Sequence, residues 1–254
     1  MRRMLMVANW KMNKSIAETR AFCQEFMPLV NNIRNIDMVI CPPFTSLQVL
    51  KSELESSIVK LGAQNLFGEE NGAYTGEISA SMLTDVGCCY VIIGHSERRR
   101  IMGEDDGLIN RKVKAALSAG LIPILCVGET LQQREKSIAE EVVENQIFSC
   151  LENISLKEGE LVIAYEPVWA IGSGKAATTE DAEGAAAYIL SLLADQFGAA
   201  AEQVRVQYGG SVKAENIGSF VSLPSVSGAL IGGASLEAAS FAALIEAARK
   251  AVNS

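Results

Sequence analysis

The chain has 254 residues, 49% of them hydrophobic and 20% charged, with a formal net charge of −8. That is the composition of a globular protein with enough apolar side chains for a large core, and it excludes a disordered or low-complexity chain. The acidic balance also excludes a surface that tracks nucleic acid or anionic lipid, because neutralising phosphates takes clustered cations.

The densest basic run, Arg98-Arg99-Arg100, sits among Glu97, Glu104, Asp105 and Asp106 and reads as paired or solvated charge. The six cysteines show no C-x-x-C spacing, and a core of this size needs no staples, so they read as reduced thiols of a cytoplasmic protein. The N-terminus has two arginines but too short an apolar stretch for a secretory signal. No window approaches the roughly 20 apolar residues of a membrane span. The expected partners therefore include neither nucleic acid nor membrane.

Short apolar, β-branched runs alternate along the chain with stretches of helical period. The runs are Leu5–Ala8, Met38–Cys41, Val59–Ala63, Tyr90–Ile93, Ile122–Val127, Leu161–Tyr165, Val204–Gln207 and Ala229–Ile231. They are too apolar for one face to meet water, which suits parallel strands covered on both sides. Between them Ser15-x-x-Glu18, Thr45-x-x-Gln48 and Ser137-x-x-Glu140 have the spacing of capping boxes. After Thr178 the set Ala182, Ala186, Ile189, Leu190, Leu193 and Phe197 follows the rhythm of an amphipathic helix that Gly198 stops.

Eight strand-helix units without a Pro-, Ser- or charge-rich linker match a closed (β/α)₈ barrel, one domain over residues 1–254. An open doubly wound sheet is the alternative; no G-x-G-x-x-G follows the first strand, which counts against its dinucleotide-binding version.

In a barrel, chemistry collects in the loops that follow the strands. Here Asn9 and Lys11 follow strand one, Gln64-Asn65 strand three, His95-Ser96-Glu97 strand four, Glu129 strand five and Glu166 strand six. The last two loops are Gly-rich, Tyr208-Gly209-Gly210-Ser211 before a helix expected over 212–221, and Ile231-Gly232-Gly233-Ala234-Ser235 before one over 236–252. Glycines let backbone N–H groups approach an anion and helix N-termini add positive potential, so these loops read as a phosphate cradle. Oriented amides with one lysine let an acidic protein hold a dianion. A tight turn is the plain alternative for either glycine pair alone.

The segment from Pro167 to Ala177 is longer than most βα loops and reads as a lid over Glu166, or else as a packed surface loop. His95 is the only histidine, so it belongs to no multi-histidine metal site. It opens a helix-starting segment whose N-terminal potential favours the neutral imidazole, a group able to donate to one oxygen and return a proton to another. Glu166 has apolar flanks that are expected to raise its pKa and strengthen it as a base; a buried salt bridge is the alternative. Neither a metal nor another cofactor is called for.

Several ordered segments resemble the triosephosphate isomerase family over residues 5–245. They are Ala8-Asn9-Trp10-Lys11-Met12-Asn13, Gln64-Asn65, Gly72-Ala73-Tyr74-Thr75-Gly76-Glu77, Gly94-His95-Ser96-Glu97-Arg98-Arg99, Cys126-Val127-Gly128-Glu129-Thr130, Ala164-Tyr165-Glu166-Pro167-Val168-Trp169-Ala170-Ile171-Gly172, Tyr208-Gly209-Gly210-Ser211-Val212 and Gly232-Gly233-Ala234-Ser235-Leu236. The resemblance implies the barrel fold and the glycolytic and gluconeogenic interconversion of dihydroxyacetone phosphate and D-glyceraldehyde 3-phosphate through an enediolate. The resemblance also implies a glutamate base paired with a neutral histidine.

By the same resemblance Glu166 moves the carbon-bound proton and His95 the oxygen-bound ones. Lys11 stabilises negative charge, Asn9 positions the substrate, and Glu97 supports Lys11 and His95. Gly172, Ser211, Gly232 and Gly233 supply phosphate amides. A homodimer is implied too, in which the loop Phe67–Glu77 places Thr75 against the partner's Asn9, Lys11 and His95.

The chain departs from the family at Met102, where Phe is usual, at Ser227, where Asp is common, and at Lys175-Ala176-Ala177. None of these removes a reacting group. Two other readings remain, a different phosphate-binding barrel enzyme and a non-catalytic phosphate-binding module. A Schiff-base aldolase needs a mid-barrel lysine, and the strands offer only Lys60 at the edge of strand three.

Overall fold

The computed structural model describes residues 2–170 and 177–252. Eight strands close a parallel barrel in sequence order: β1 (Met4–Asn9), β2 (Ile36–Cys41), β3 (Lys60–Ala63), β4 (Tyr90–Ile93), β5 (Ile122–Val127), β6 (Val162–Tyr165), β7 (Arg205–Tyr208) and β8 (Gly228–Ile231). Closure is made by β1, which pairs with β2 from Met4↔Ile36 to Asn9↔Cys41 and with β8 from Leu5↔Gly228 to Ala8↔Ile231. The open-sheet alternative is thereby excluded. All eight expected runs are strands, with ends shifted by two residues at most.

Ten α-helices lie among the described residues: α1 (Ile16–Val30), α2 (Leu47–Glu53), α3 (Ala80–Val86), α4 (Ser96–Ile101), α5 (Asp106–Ser118), α6 (Leu131–Glu135), α7 (Ala139–Cys150), α8 (Thr179–Phe197), α9 (Ile217–Val221) and α10 (Ala238–Val252). Alternation along the strands divides the core in two. Leu5, Val7, Val39, Tyr90, Ile92, Ile124, Cys126, Val162, Ala164 and Leu230 fill the barrel interior. Their neighbours in sequence, such as Met6, Ile40, Val91, Leu125 and Ile163, pack outward with the helices. Both sets are buried, which is why each strand reads as a continuous apolar run.

Local signals hold unevenly. Ser15 and Glu18 form the expected capping box at α1, and Gly198 ends α8. The box expected at Thr45 is absent, because Phe44–Ser46 is a 3₁₀ turn and the α2 cap, Ser46, makes no side-chain cap bond. Its hydroxyl instead accepts from Thr19 at 3.1 Å. Ser137 does not cap α7 either; it sits at φ +58° in the preceding turn, and Ile138 precedes the helix with no side-chain bond. Two boxes form elsewhere, Thr130 with Gln133 and Thr178 with Asp181. The helices after the last two loops also start later than expected, at Ile217 and Ala238, the second behind a 3₁₀ turn at Gly233–Ser235.

Candidate active site

The loops after β1, β4, β6, β7 and β8 surround a cavity of about 720 Å³ whose lining includes Asn9, Lys11, His95, Glu97, Glu166, Ser211, Gly232 and Gly233. Asn9 and Glu166 enter it by strand parity. Asn9 shares the phase of inward Leu5 and Val7, and Glu166 that of Val162 and Ala164. His95 enters because Gly94, at φ +70°, turns the chain where an L-side chain would be strained.

His95 and Glu166 are both buried and in direct contact, with Nε2 3.0 Å from Oε1. The Glu97 N–H donates to His95 Nδ1 at 3.2 Å, so that nitrogen presents a lone pair. Nε2, which faces the carboxylate, carries a ring proton. The other oxygen, Oε2, accepts from the Ser96 N–H at 2.8 Å.

These contacts correct the expected pKa of Glu166. Burial pushes it up, but His95, the Ser96 N–H and the Lys11 charge outweigh burial, and the carboxyl lies below its ordinary value of 4.5. Beneath it the Cys126 thiol is pushed well up by burial and by the Glu166 charge.

Lys11 is held from both sides in the left-handed region, at φ +53°. Its N–H donates to Asn9 Oδ1 at 3.0 Å, and its carbonyl accepts from Gln64 Nε2 at 2.8 Å. Gln64 also donates to the Cys41 carbonyl at 2.9 Å. Such a backbone costs about 1–3 kcal/mol and persists only where surroundings over-determine it. The Lys11 ammonium reaches Glu97 Oε1 at 2.6 Å and lies over Gly232, where an added Cβ would stand 3.2 Å from Cε. The cation therefore sits beside the glycine loops.

In loop seven the Gly209 N–H donates to the Tyr165 carbonyl at 2.8 Å, and Ser211 Oγ donates to the Ala170 carbonyl at 3.1 Å. A Cβ on Gly209 would meet Glu166 Cγ at 2.9 Å. In loop eight Ser235 Oγ, buried, donates to the Gly232 carbonyl at 2.7 Å. Because α9 starts only at Ile217, the amides of loop seven precede a turn and not the helix itself.

Not every expected residue reaches the cavity. Glu129 is fully buried outside it, where it accepts from Trp169 Nε1 at 2.8 Å and Tyr165 OH at 3.0 Å. Asn65 accepts from buried Lys112 Nζ at 2.8 Å. Thr75 is exposed and does not line this cavity. Gly172, with Lys175 and Ala176 of the expected lid, lies outside the described residues; at the lid's far end the Ala177 N–H donates to Tyr208 OH at 3.2 Å. Sequence reasoning missed the parts of Ser96 and Gln64 and the presence of Arg100, Lys213 and Asn216 on the cavity wall.

Among the described residues no group of three or more His, Cys, Asp or Glu could hold a metal ion. No helix is long and apolar enough to cross a membrane.

The family model described as triosephosphate isomerase matches residues 4–248. The triosephosphate isomerase of Carboxydothermus hydrogenoformans is 49% identical over 97% of this chain and 99% of its own length. That of Dictyoglomus thermophilum is 50% identical over 95% of this chain and 98% of its own length. The crystal structure of triosephosphate isomerase from Bartonella henselae superposes with a TM-score of 0.87 at 37% identity, covering 97% of this chain and 99% of that one. Fold, site geometry and these likenesses agree, and the chain belongs to the triosephosphate isomerase family.

Proposed function

We propose that this chain interconverts dihydroxyacetone phosphate and D-glyceraldehyde 3-phosphate, with Glu166 as base and His95 as acid. The reading rests on one contact, the 3.0 Å approach of His95 Nε2 to Glu166 Oε1 on the floor of the cavity. A neutral N–H and a carboxylate side by side can take a proton from carbon while donating to the neighbouring carbonyl oxygen, so that an enediolate forms with charge balanced.

The substrate enters between the two groups. Its carbonyl oxygen replaces Glu166 as the acceptor of the Nε2 proton, and its C–H faces the freed carboxylate. Losing the bonds from His95 and Ser96 raises the pKa of Glu166, which makes it a stronger base only when substrate is present. The carboxylic acid then returns the proton to the adjacent carbon. Lys11 stabilises the enediolate oxygen and the phosphate, Asn9 fixes Lys11, and Glu97 orients both Lys11 and His95. The amides of Ser211, Gly232 and Gly233 hold the phosphate by directed dipoles, with no cofactor required.

The working unit in this reading is one barrel domain in a cytoplasmic homodimer. Its support is the apolar surface beside the site: Met12 next to Lys11, Ile101 and Met102 at the end of α4, and Tyr74 in the 67–77 loop are all exposed in the single chain. Thr75 in that loop would back the partner's Asn9, Lys11 and His95.

The deciding experiment is the triose phosphate interconversion assay on the purified protein and Glu166→Gln. The variant should lose about 10²–10⁴-fold in kcat, or about 3–5 kcal/mol, while still binding inorganic phosphate. Undiminished turnover in the variant would overturn the assignment.

A further inference from the structure

The three consecutive arginines of the 98–100 run have three different fates. Arg98 pairs with buried Glu104 at 2.6 Å, and Arg100 is exposed on the cavity wall. Arg99 turns inward behind the site. Its Nε donates to the Gly94 carbonyl at 2.9 Å and its Nη2 to the Cys126 carbonyl at 3.3 Å. Its Nη1 pairs with Asp106 at the start of α5, and Nη2 lies 3.5 Å from Cys150 Sγ at the end of α7. The Cys150 thiol in turn donates to Asp106 Oδ1 at 3.3 Å.

The two carbonyls that Arg99 grips stand behind the two members of the acid–base pair. Gly94 carries the left-handed turn that aims His95. Cys126 is the β5 residue whose side chain lies against Glu166 and which pairs with Ala164 on β6. We propose that Arg99 is a positioning residue that sets the separation of His95 and Glu166 by tying the ends of β4 and β5 to one rigid group. This rests on the proposed roles of those two residues.

The chemistry requires an arginine. A planar guanidinium offers five donors in a fixed fork, so it can hold two carbonyls and a carboxylate at once; an ammonium is a point charge on a flexible stem. Asp106 keeps the fork charged and anchored, and the Cys150 thiol closes the remaining side. Arg99 touches no substrate. Its action is transmitted through backbone, and acid–base geometry is sensitive enough for that to register, since a misplacement of about 1 Å can cost on the order of 10²-fold in rate.

The test is Arg99→Lys, which keeps the charge and the pairing with Asp106 but loses the fork. Two readouts are needed. In steady-state kinetics kcat should fall about 10- to 100-fold, with KM and inhibition by inorganic phosphate changed less than about threefold. In ¹⁵N spectra of the imidazole, which report His95 alone because the chain has a single histidine, the Nε2 and Nδ1 signals should be displaced from the wild-type positions. If the lysine variant does not fold, Asp106→Asn slackens the same fork and should give the same pair of changes in weaker form.

A kcat within twofold of wild type with unmoved imidazole signals overturns the proposal, whatever happens to the melting temperature. If Glu166→Gln keeps its turnover, the parent assignment fails instead, and the imidazole spectra still report whether Arg99 places His95.

Discussion

The backbone N–H of Ser96 donates to Glu166 Oε2 at 2.8 Å, so the residue that follows His95 holds the neighbouring carboxylate in its ionised form. Burial alone would raise the pKa of Glu166, but His95, Ser96 and Lys11 bring it below 4.5. A group whose folded pKa is depressed contributes stability above its unfolded pKa, and that contribution is lost as pH falls through the folded value. The stability difference between wild type and Glu166→Gln, measured by denaturant unfolding, should therefore be flat at neutral pH. It should shift against the wild type as pH drops below the ordinary carboxylate range. A difference independent of pH down to strongly acid conditions would remove this account of the Ser96 contact.

Gly209 leaves the space that Glu166 occupies. An added Cβ would stand 2.9 Å from Glu166 Cγ and 3.0 Å from the Tyr165 carbonyl oxygen, too close for either to stay. Gly209→Ala should lower kcat by at least about tenfold by displacing the carboxylate. Inhibition by inorganic phosphate should hardly change, because the Cβ points at Glu166 and Tyr165. Turnover equal to wild type would mean that Glu166 tolerates a shift no base in this geometry should tolerate.

The proposed dimer predicts a dependence on concentration. Specific activity should fall on dilution as the oligomer in sedimentation dissociates, and Thr75→Arg should move both curves to higher protein concentration together. A monomer that stays fully active at low concentration would separate the site from any partner.

Much of this architecture is legible in the sequence, and the failures have physical causes. Every strand is buried on both faces, so each stands out as an apolar run. Capping spacing is a weaker signal, since the Ser137 pattern lies where the chain turns at φ +58° and cannot start a helix. Glu129 follows a strand just as Glu166 does, yet it faces away. Parity along the strand carries the distinction, because Glu129 keeps step with outward Leu125 and Val127 while Glu166 keeps step with inward Ala164.

The sign of the Glu166 shift is not written in its neighbouring residues. Its apolar flanks are local, whereas its donor at Ser96 lies 70 residues away. The clamp of Gln64 on Lys11 spans 53 residues and is invisible for the same reason. The fates of three adjacent arginines diverge by helical phase, which a run of like charge does not reveal.

Strand β1 is hydrogen-bonded on one side to β2 and on the other to β8. During synthesis the first partner emerges early and the second only when nearly the whole chain has been made, so Met4–Asn9 waits with one edge unpaired through most of translation. A nascent or truncated chain ending before Gly228 would leave β1 and β7 both open, which invites pairing with other chains. Asn9 ends one of the two strands that meet at this seam, and Gly232 directly follows the other. The cavity therefore has no partial version: a ribosome-bound chain carries His95 and Glu166 before the wall that encloses them is complete.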